Sequence, residues 1–120
     1  MNRVVRVAHM PRNQSEFDVV RRLGLALPDI EEGRVYGGRA LKVRGRMFAC
    51  EAVHRSAEPN TLVVRIEFGR RDELIEAKPR TYYLTDHYVD YPCVLVRLGR
   101  IGEDELRDLL LMGWRFETGI

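Results

Sequence analysis

Between residues 34 and 68 the apolar residues come in runs too short for a helix, and each run is closed by glycines or a polar turn. Arg34 to Tyr36 stops at Gly37-Gly38, Leu41 to Val43 at Arg44-Gly45-Arg46, and Met47 to Val53 at the polar stretch Ser56 to Asn60. Runs this short, joined by turns this tight, have room only to double back. The spacing therefore predicts two hairpins and antiparallel pairing. Thr61 to Phe68 then alternates, with Leu62, Val64, Ile66 and Phe68 on one side and Val63, Arg65 and Glu67 on the other, the pattern of a half-exposed strand.

Helical periodicity frames these strands. Ser15 is placed to cap a first helix, Glu16 and Asp18 fall where its dipole favours anions, and Phe17, Val20, Leu23 and Leu27 form its apolar stripe. Pro28-Asp29 ends it, which gives a helix over Glu16 to Leu27. Arg70 to Ala77 reads as a short helical turn, Thr81 to Leu84 and Cys93 to Leu98 as further strands. A last amphipathic helix starts at Glu103 and carries Leu106, Leu109, Leu110, Gly113 and Trp114. The order is α-β-β-β-β-α-β-β-α. Three helices with one apolar stripe each can cover one sheet face, so the expected fold is a two-layer α+β domain, an antiparallel sheet backed by helices. Residues 15–120 form this domain and residues 1–14 an N-terminal extension, within which Met10 is a second candidate start.

A chain of 120 residues, 45% hydrophobic and 32% charged, can bury one core without disulfide or metal. No apolar run approaches the roughly 18 residues of a membrane helix, and Val4 to Ala8 is too short for a signal peptide, so the expected location is the cytoplasm. Cys50 and Cys93 are the two cysteines, and reduced, buried thiols are expected of them. Cys50 and His54 lie four apart, roughly 13 Å along a strand, too far to close on one ion. Neither metal nor cofactor is expected.

The net charge is +2, yet between Glu32 and Glu51 there is no acid while Arg34, Arg39, Lys42, Arg44 and Arg46 fall there. At the other end of the chain, Asp86-His87-Tyr88-Val89-Asp90-Tyr91-Pro92 crowds an imidazole, two phenols and two carboxylates into one loop.

The helix end Leu27-Pro28-Asp29-Ile30-Glu31-Glu32, then Tyr36-Gly37, then Lys42-Val43-Arg44-Gly45-Arg46-Met47-Phe48-Ala49 form one signature. Tyr82-Tyr83-Leu84-Thr85-Asp86-His87-Tyr88, Tyr91-Pro92, Val94-Leu95-Val96-Arg97-Leu98 and Trp114 form a second. Together they resemble the MmcQ/YjbR-like family of small bacterial proteins, over about Asp18 to Arg115. The resemblance implies an α+β fold similar to type III secretion chaperones. It also implies DNA binding, a label family members carry because their hairpins look like paired wings. Arg39 stands where that family is expected to have proline, and the N-terminal extension is a second departure.

Two constellations are candidate sites. Arg39, Lys42, Arg44 and Arg46 surround a hairpin tip. If the turn is tight, Lys42, Arg44 and Arg46 are expected on one face, where guanidinium groups donate to phosphate as a DNA-contacting wing; the alternative is a charged hairpin that shields a sheet edge. Asp86, His87, Tyr88 and Tyr91, with Arg65 on the neighbouring strand, are candidates for the rim of a site for a small planar ligand; the alternative is a loop whose tyrosines pack on the sheet. No G-x-S-x-G, Walker-type loop or H-E-x-x-H is present, so no enzyme is expected. The leading expectation is a non-enzymatic, weakly DNA-binding protein, monomeric or weakly dimeric and away from membranes. A small-molecule binder comes second and a protein-interaction module third. Trp114 is expected in the core.

Overall fold

The computed structural model describes residues 12–120, with side chains from Glu16 onward. His9, Met10 and most of the extension lie outside the described residues. Helix α1 (Arg12–Leu25) is followed by β1 (Ile30–Val35), β2 (Gly38–Val43), β3 (Arg46–Glu51) and β4 (Thr61–Arg65). Helix α2 (Phe68–Ala77), β5 (Tyr82–Tyr83), β6 (Cys93–Arg97), a 3-10 turn over Leu98–Arg100 and α3 (Glu103–Thr118) complete the order, which is the one the sequence predicts. Helix α1 begins at Arg12, so Ser15 sits inside it rather than at its cap; nothing in Arg12-Asn13-Gln14 breaks a helix.

The six strands form one antiparallel sheet in the order β1-β2-β3-β4-β6-β5. Both predicted hairpins are present, and each turns in two residues. Val35 lies opposite Gly38 and Val43 opposite Arg46, leaving Tyr36-Gly37 and Arg44-Gly45 as the turns. All four turn residues have positive φ, between 51° and 87°, the signature of the type I′ turn whose twist matches the strands it joins. Between β2 and β3 the register passes from Leu41↔Ala49 to Lys42↔Met47, so Phe48 is an extra, bulged residue. The bulge lets consecutive Phe48 and Ala49 both enter the helix-side core.

That core lies between one sheet face and the helices. Phe17, Val20 and Leu23 of α1 and Leu106, Leu109, Leu110 and Trp114 of α3 pack on Leu41, Phe48, Leu62, Val64 and Val96, with Leu74 and Ile75 of α2 at its margin. Gly113 sets the spacing of α3: a Cβ there would meet Val64 Cγ1 at 3.0 Å, the Arg65 carbonyl at 3.1 Å and the Phe48 carbonyl at 3.3 Å. Trp114 is buried, as expected, and its indole N–H donates to the Pro28 carbonyl at 3.0 Å, tying α3 to the turn after α1.

The opposite sheet face differs from the expectation of a half-exposed β4. The strand stops at Arg65, and Phe68 opens α2. Val63 is 5% exposed, because Ala40, Cys50, Val63, Cys93 and Leu95 form a second cluster roofed by Tyr83 and Tyr88. Among the described residues no helix takes part in that cluster. Its cover comes from the β3–β4 connection and from the loop before β6.

Candidate functional site

The second face is covered only in part, and the gap is a cleft of about 620 Å³, within the size range of small-molecule sites. Met47 and Cys50 of β3, Val63 of β4 and Cys93 of β6 line it from the sheet. His54, His87 and Tyr88 wall one side, Arg65 closes an end, and Tyr36, Val53 and Tyr91 stand at the rim, where all three are exposed.

The wall depends on how residues 85–92 are folded. Tyr88 and Val89 N–H both donate to the Thr85 carbonyl, Tyr91 N–H to Tyr88, and Ile66 N–H to the Pro92 carbonyl, which returns the chain to the sheet beside β4. The decisive contact comes from α2. Arg71 is 7% exposed, lies over the Phe68 ring, pairs with Asp72 and donates from one terminal nitrogen to the carbonyls of Val89 (3.0 Å) and Tyr91 (3.1 Å). A buried guanidinium is tolerable only with such partners, and here they fix the loop.

On that loop His87 lies flat against His54 from the β3–β4 connection, with ring centroids 3.5 Å apart and planes 9° from parallel. Tyr88 meets both rings edge-on, at 4.8 Å from His87 and 6.2 Å from His54. The Ser56 backbone N–H donates to His54 Nδ1 at 3.1 Å, and Ser56 Oγ lies 2.8 Å from that nitrogen and 2.8 Å from Thr85 Oγ1. An Nδ1 that accepts leaves the proton of the neutral ring on Nε2. Burial, then the neighbouring His87 and Arg55, lower the His54 pKa below the ordinary histidine value, which favours that neutral ring. Burial also raises the Tyr88 phenol and pushes the Cys50 thiol up to about 12. Cys93 is raised by burial as well, although the charges of Arg65 and Arg71 pull it down. Both cysteines are free, and β4 separates their strands, too great a span for a disulfide.

Of the loop candidates, His87, Tyr88 and Tyr91 converge on the cleft with Arg65, while Asp86 is exposed and not part of its lining. Sequence reasoning missed Tyr36, and weighed His54 only as a zinc partner for Cys50. It also missed Arg71. One of two adjacent arginines in a short helix, Arg71 gives no signal of a contact to carbonyls 18 and 20 residues ahead.

The basic residues of the second hairpin do not share a face. Residues directly across a hairpin point to the same side, and Arg46 lies across from Val43, whose side chain is in the helix-side core. Lys42, one residue earlier, therefore points to the opposite face, where its side chain lies along Gly33. A tight turn thus separates Lys42 from Arg46, contrary to expectation. Arg39 lies over the Phe17 ring at 4.4 Å and pairs with Asp18 at 3.1 Å, which engages it with α1. Arg46 is 73% exposed and stands 3.9 Å from Glu117, and Arg44 is exposed at the tip.

Among the described residues no helix is long and apolar enough to cross a membrane, and no group of three or more His, Cys, Asp or Glu is arranged to hold a metal ion. No curated protein matches this chain. Among solved structures, the chain is similar to the crystal structure of a Deinococcus radiodurans protein with the domain DUF419. The TM-score is 0.70 at 24% identity, over 85% of this chain and 78% of that one, which supports the α+β fold. The YjbR family model matches residues 25–116, the span that holds the whole sheet, the loop of His87 and nearly all of α3. The match takes in both signatures quoted from the sequence, and the chain belongs to the YjbR family.

Proposed function

We propose that this protein is a non-enzymatic binding protein whose cleft takes a small planar ligand. The observation that carries the reading is the wall made by the His54–His87 stack and Tyr88, three rings presented beside an apolar, sulfur-lined floor. Flat π-systems are the ligands such walls and the exposed rings of Tyr36 and Tyr91 receive best, by stacking and edge-on contact. Binding is favoured over turnover because burial keeps both thiols protonated at neutral pH and His54 Nδ1 is engaged by Ser56. The test is amide NMR with 2-naphthalenemethanol as probe. Shifts at Met47, Val63, His87, Tyr88 and Tyr91 that vanish in Val53→Trp, which fills the cleft from its rim, support the reading. No shifts at those amides with this probe or with charged probes of the same ring system, or shifts unchanged in Val53→Trp, overturn it.

DNA binding through the second hairpin is a second reading, favoured by Arg44 standing exposed at a two-residue tip beside the mostly exposed Arg46. Two phosphate contacts would give a log-log salt slope of about −1.8. If Arg44→Ala/Arg46→Ala leaves duplex affinity and slope unchanged, or wild type binds no duplex at low salt, this reading fails.

A further inference from the structure

The cleft has a charged end. Arg65 closes it with a side chain 28% exposed, its guanidinium donating from Nε to Glu117 at 2.9 Å and lying 5.5 Å from the centre of the Phe116 ring. Glu117, only 6% exposed, is shared with Arg46 at 3.9 Å, which reaches it from the helix side of the sheet, so two arginines face this one carboxylate. Because the Nε is the atom engaged, the two terminal nitrogens of Arg65 have no hydrogen-bond partner among the described residues. The positive field reaches the cleft floor, where it acts on the Cys93 thiol against the effect of burial. Among the described residues the one acid in the lining, Glu51, lies at the other end: it is opposite Leu62, three residues before Arg65 on β4, or about 10 Å away along the strand. Its carboxylate already accepts the Arg39 backbone N–H at 2.7 Å.

We propose that the ligand is a flat aromatic anion, with its ring against His54, His87 and Tyr88 and its carboxylate or phosphate on the terminal nitrogens of Arg65. This rests on the binding role proposed for the cleft and adds the ligand's charge and direction. Glu117 holds the guanidinium in place before the ligand arrives, and Phe116 limits its swing, so little side-chain freedom is lost on binding. A charge-assisted pair at a half-buried site favours an anion by about tenfold over a neutral analogue of the same shape.

Three probes with one ring system test this: 2-naphthoate, 2-naphthalenemethanol and 2-naphthylmethylammonium, titrated by NMR into wild type and Arg65→Gln. The expected result is naphthoate about tenfold tighter than the alcohol, the ammonium weakest, and all three nearly equal in Arg65→Gln. Equal affinities in wild type, or a naphthoate advantage that survives in Arg65→Gln, overturn the assignment of the anion while leaving the cleft as a binding site. If none of the three shifts cleft amides, the binding role itself fails. Arg65→Lys separates charge from geometry: it should keep a preference for naphthoate, smaller than that of wild type, and loss of all preference would show that Arg65→Gln had merely loosened the end of β4. An unfolded Arg65→Gln is recognised by loss of amide dispersion, and Arg65→Lys then decides the matter alone.

Discussion

His54 and His87 come from different loops, yet their imidazoles lie face to face 3.5 Å apart, with His54 Nδ1 held as an acceptor by Ser56. Two stacked rings can share such contact comfortably only while at least one is neutral. The folded protein holds His54 below its ordinary pKa, so as pH falls the unfolded chain takes up that proton first. The contribution of the stack is therefore complete above the usual histidine range near 6.5 and is lost as pH falls from there toward the lower folded value. In an NMR titration His54 should protonate below the ordinary value. Replacing His87 with Phe keeps a ring in the stack and removes the like charge, so the His54 midpoint should rise. An unchanged midpoint would mean that burial alone sets it.

Trp114 fills the junction of α3, the sheet and the Pro28 turn. Trp114→Ala should cost about 3–5 kcal/mol in urea unfolding. Trp114→Phe, which keeps a ring but orphans the Pro28 carbonyl, should cost less. The single tryptophan should emit at a wavelength typical of a buried indole, and a water-like maximum in the native protein would contradict its placement.

In an exposed helix, Gly→Ala stabilises by roughly 1 kcal/mol. At Gly113 the sign should reverse, because two of the three atoms a Cβ would meet are carbonyl oxygens of β3 and β4, which cannot move aside as a side chain can. Gly113→Ala should destabilise by about 1–3 kcal/mol, measured by the midpoint of chemical unfolding at unchanged slope.

Arg71→Met removes the donor shared by the Val89 and Tyr91 carbonyls while keeping much of the side-chain volume. Losing two such bonds should cost about 1–3 kcal/mol and should act locally. Hydrogen exchange at Tyr88, Val89 and Tyr91 should quicken, while Leu62, Val64 and Val96 keep their protection. Uniform acceleration across the sheet would show that Arg71 supports the whole core rather than the loop.

The order of elements was readable because punctuation in this sequence is local. Gly37 and Gly45 mark turns that need positive φ, Pro28 closes a helix, and Glu103 to Glu105 open one. What was not readable depends on contacts that cross the chain. Val63 looks solvent-facing by alternation, and it is the β3–β4 connection together with Tyr83 and the loop of Tyr88, folded over the sheet, that buries it. The common face expected of Lys42, Arg44 and Arg46 fails because counting by twos holds along a strand and not around a two-residue turn. His87, Tyr88 and Tyr91 could be picked out because they crowd one loop. Their partner His54 could not, since a histidine in an irregular connection carries no period, and nothing near it in sequence announces a ring that will lie against it.

Tyr36 occupies the first position of a type I′ turn at φ 51° with 91% of its surface in solvent, a place where glycine or asparagine would sit without strain and where a large ring gains nothing from packing. A chain shaped by stability alone would not keep it. Tyr36→Asn should therefore raise the melting temperature and, if the cleft has the binding role proposed for it, weaken ligand retention at the same time. On that proposed role, the first hairpin is a place where durability and recognition compete for a single residue.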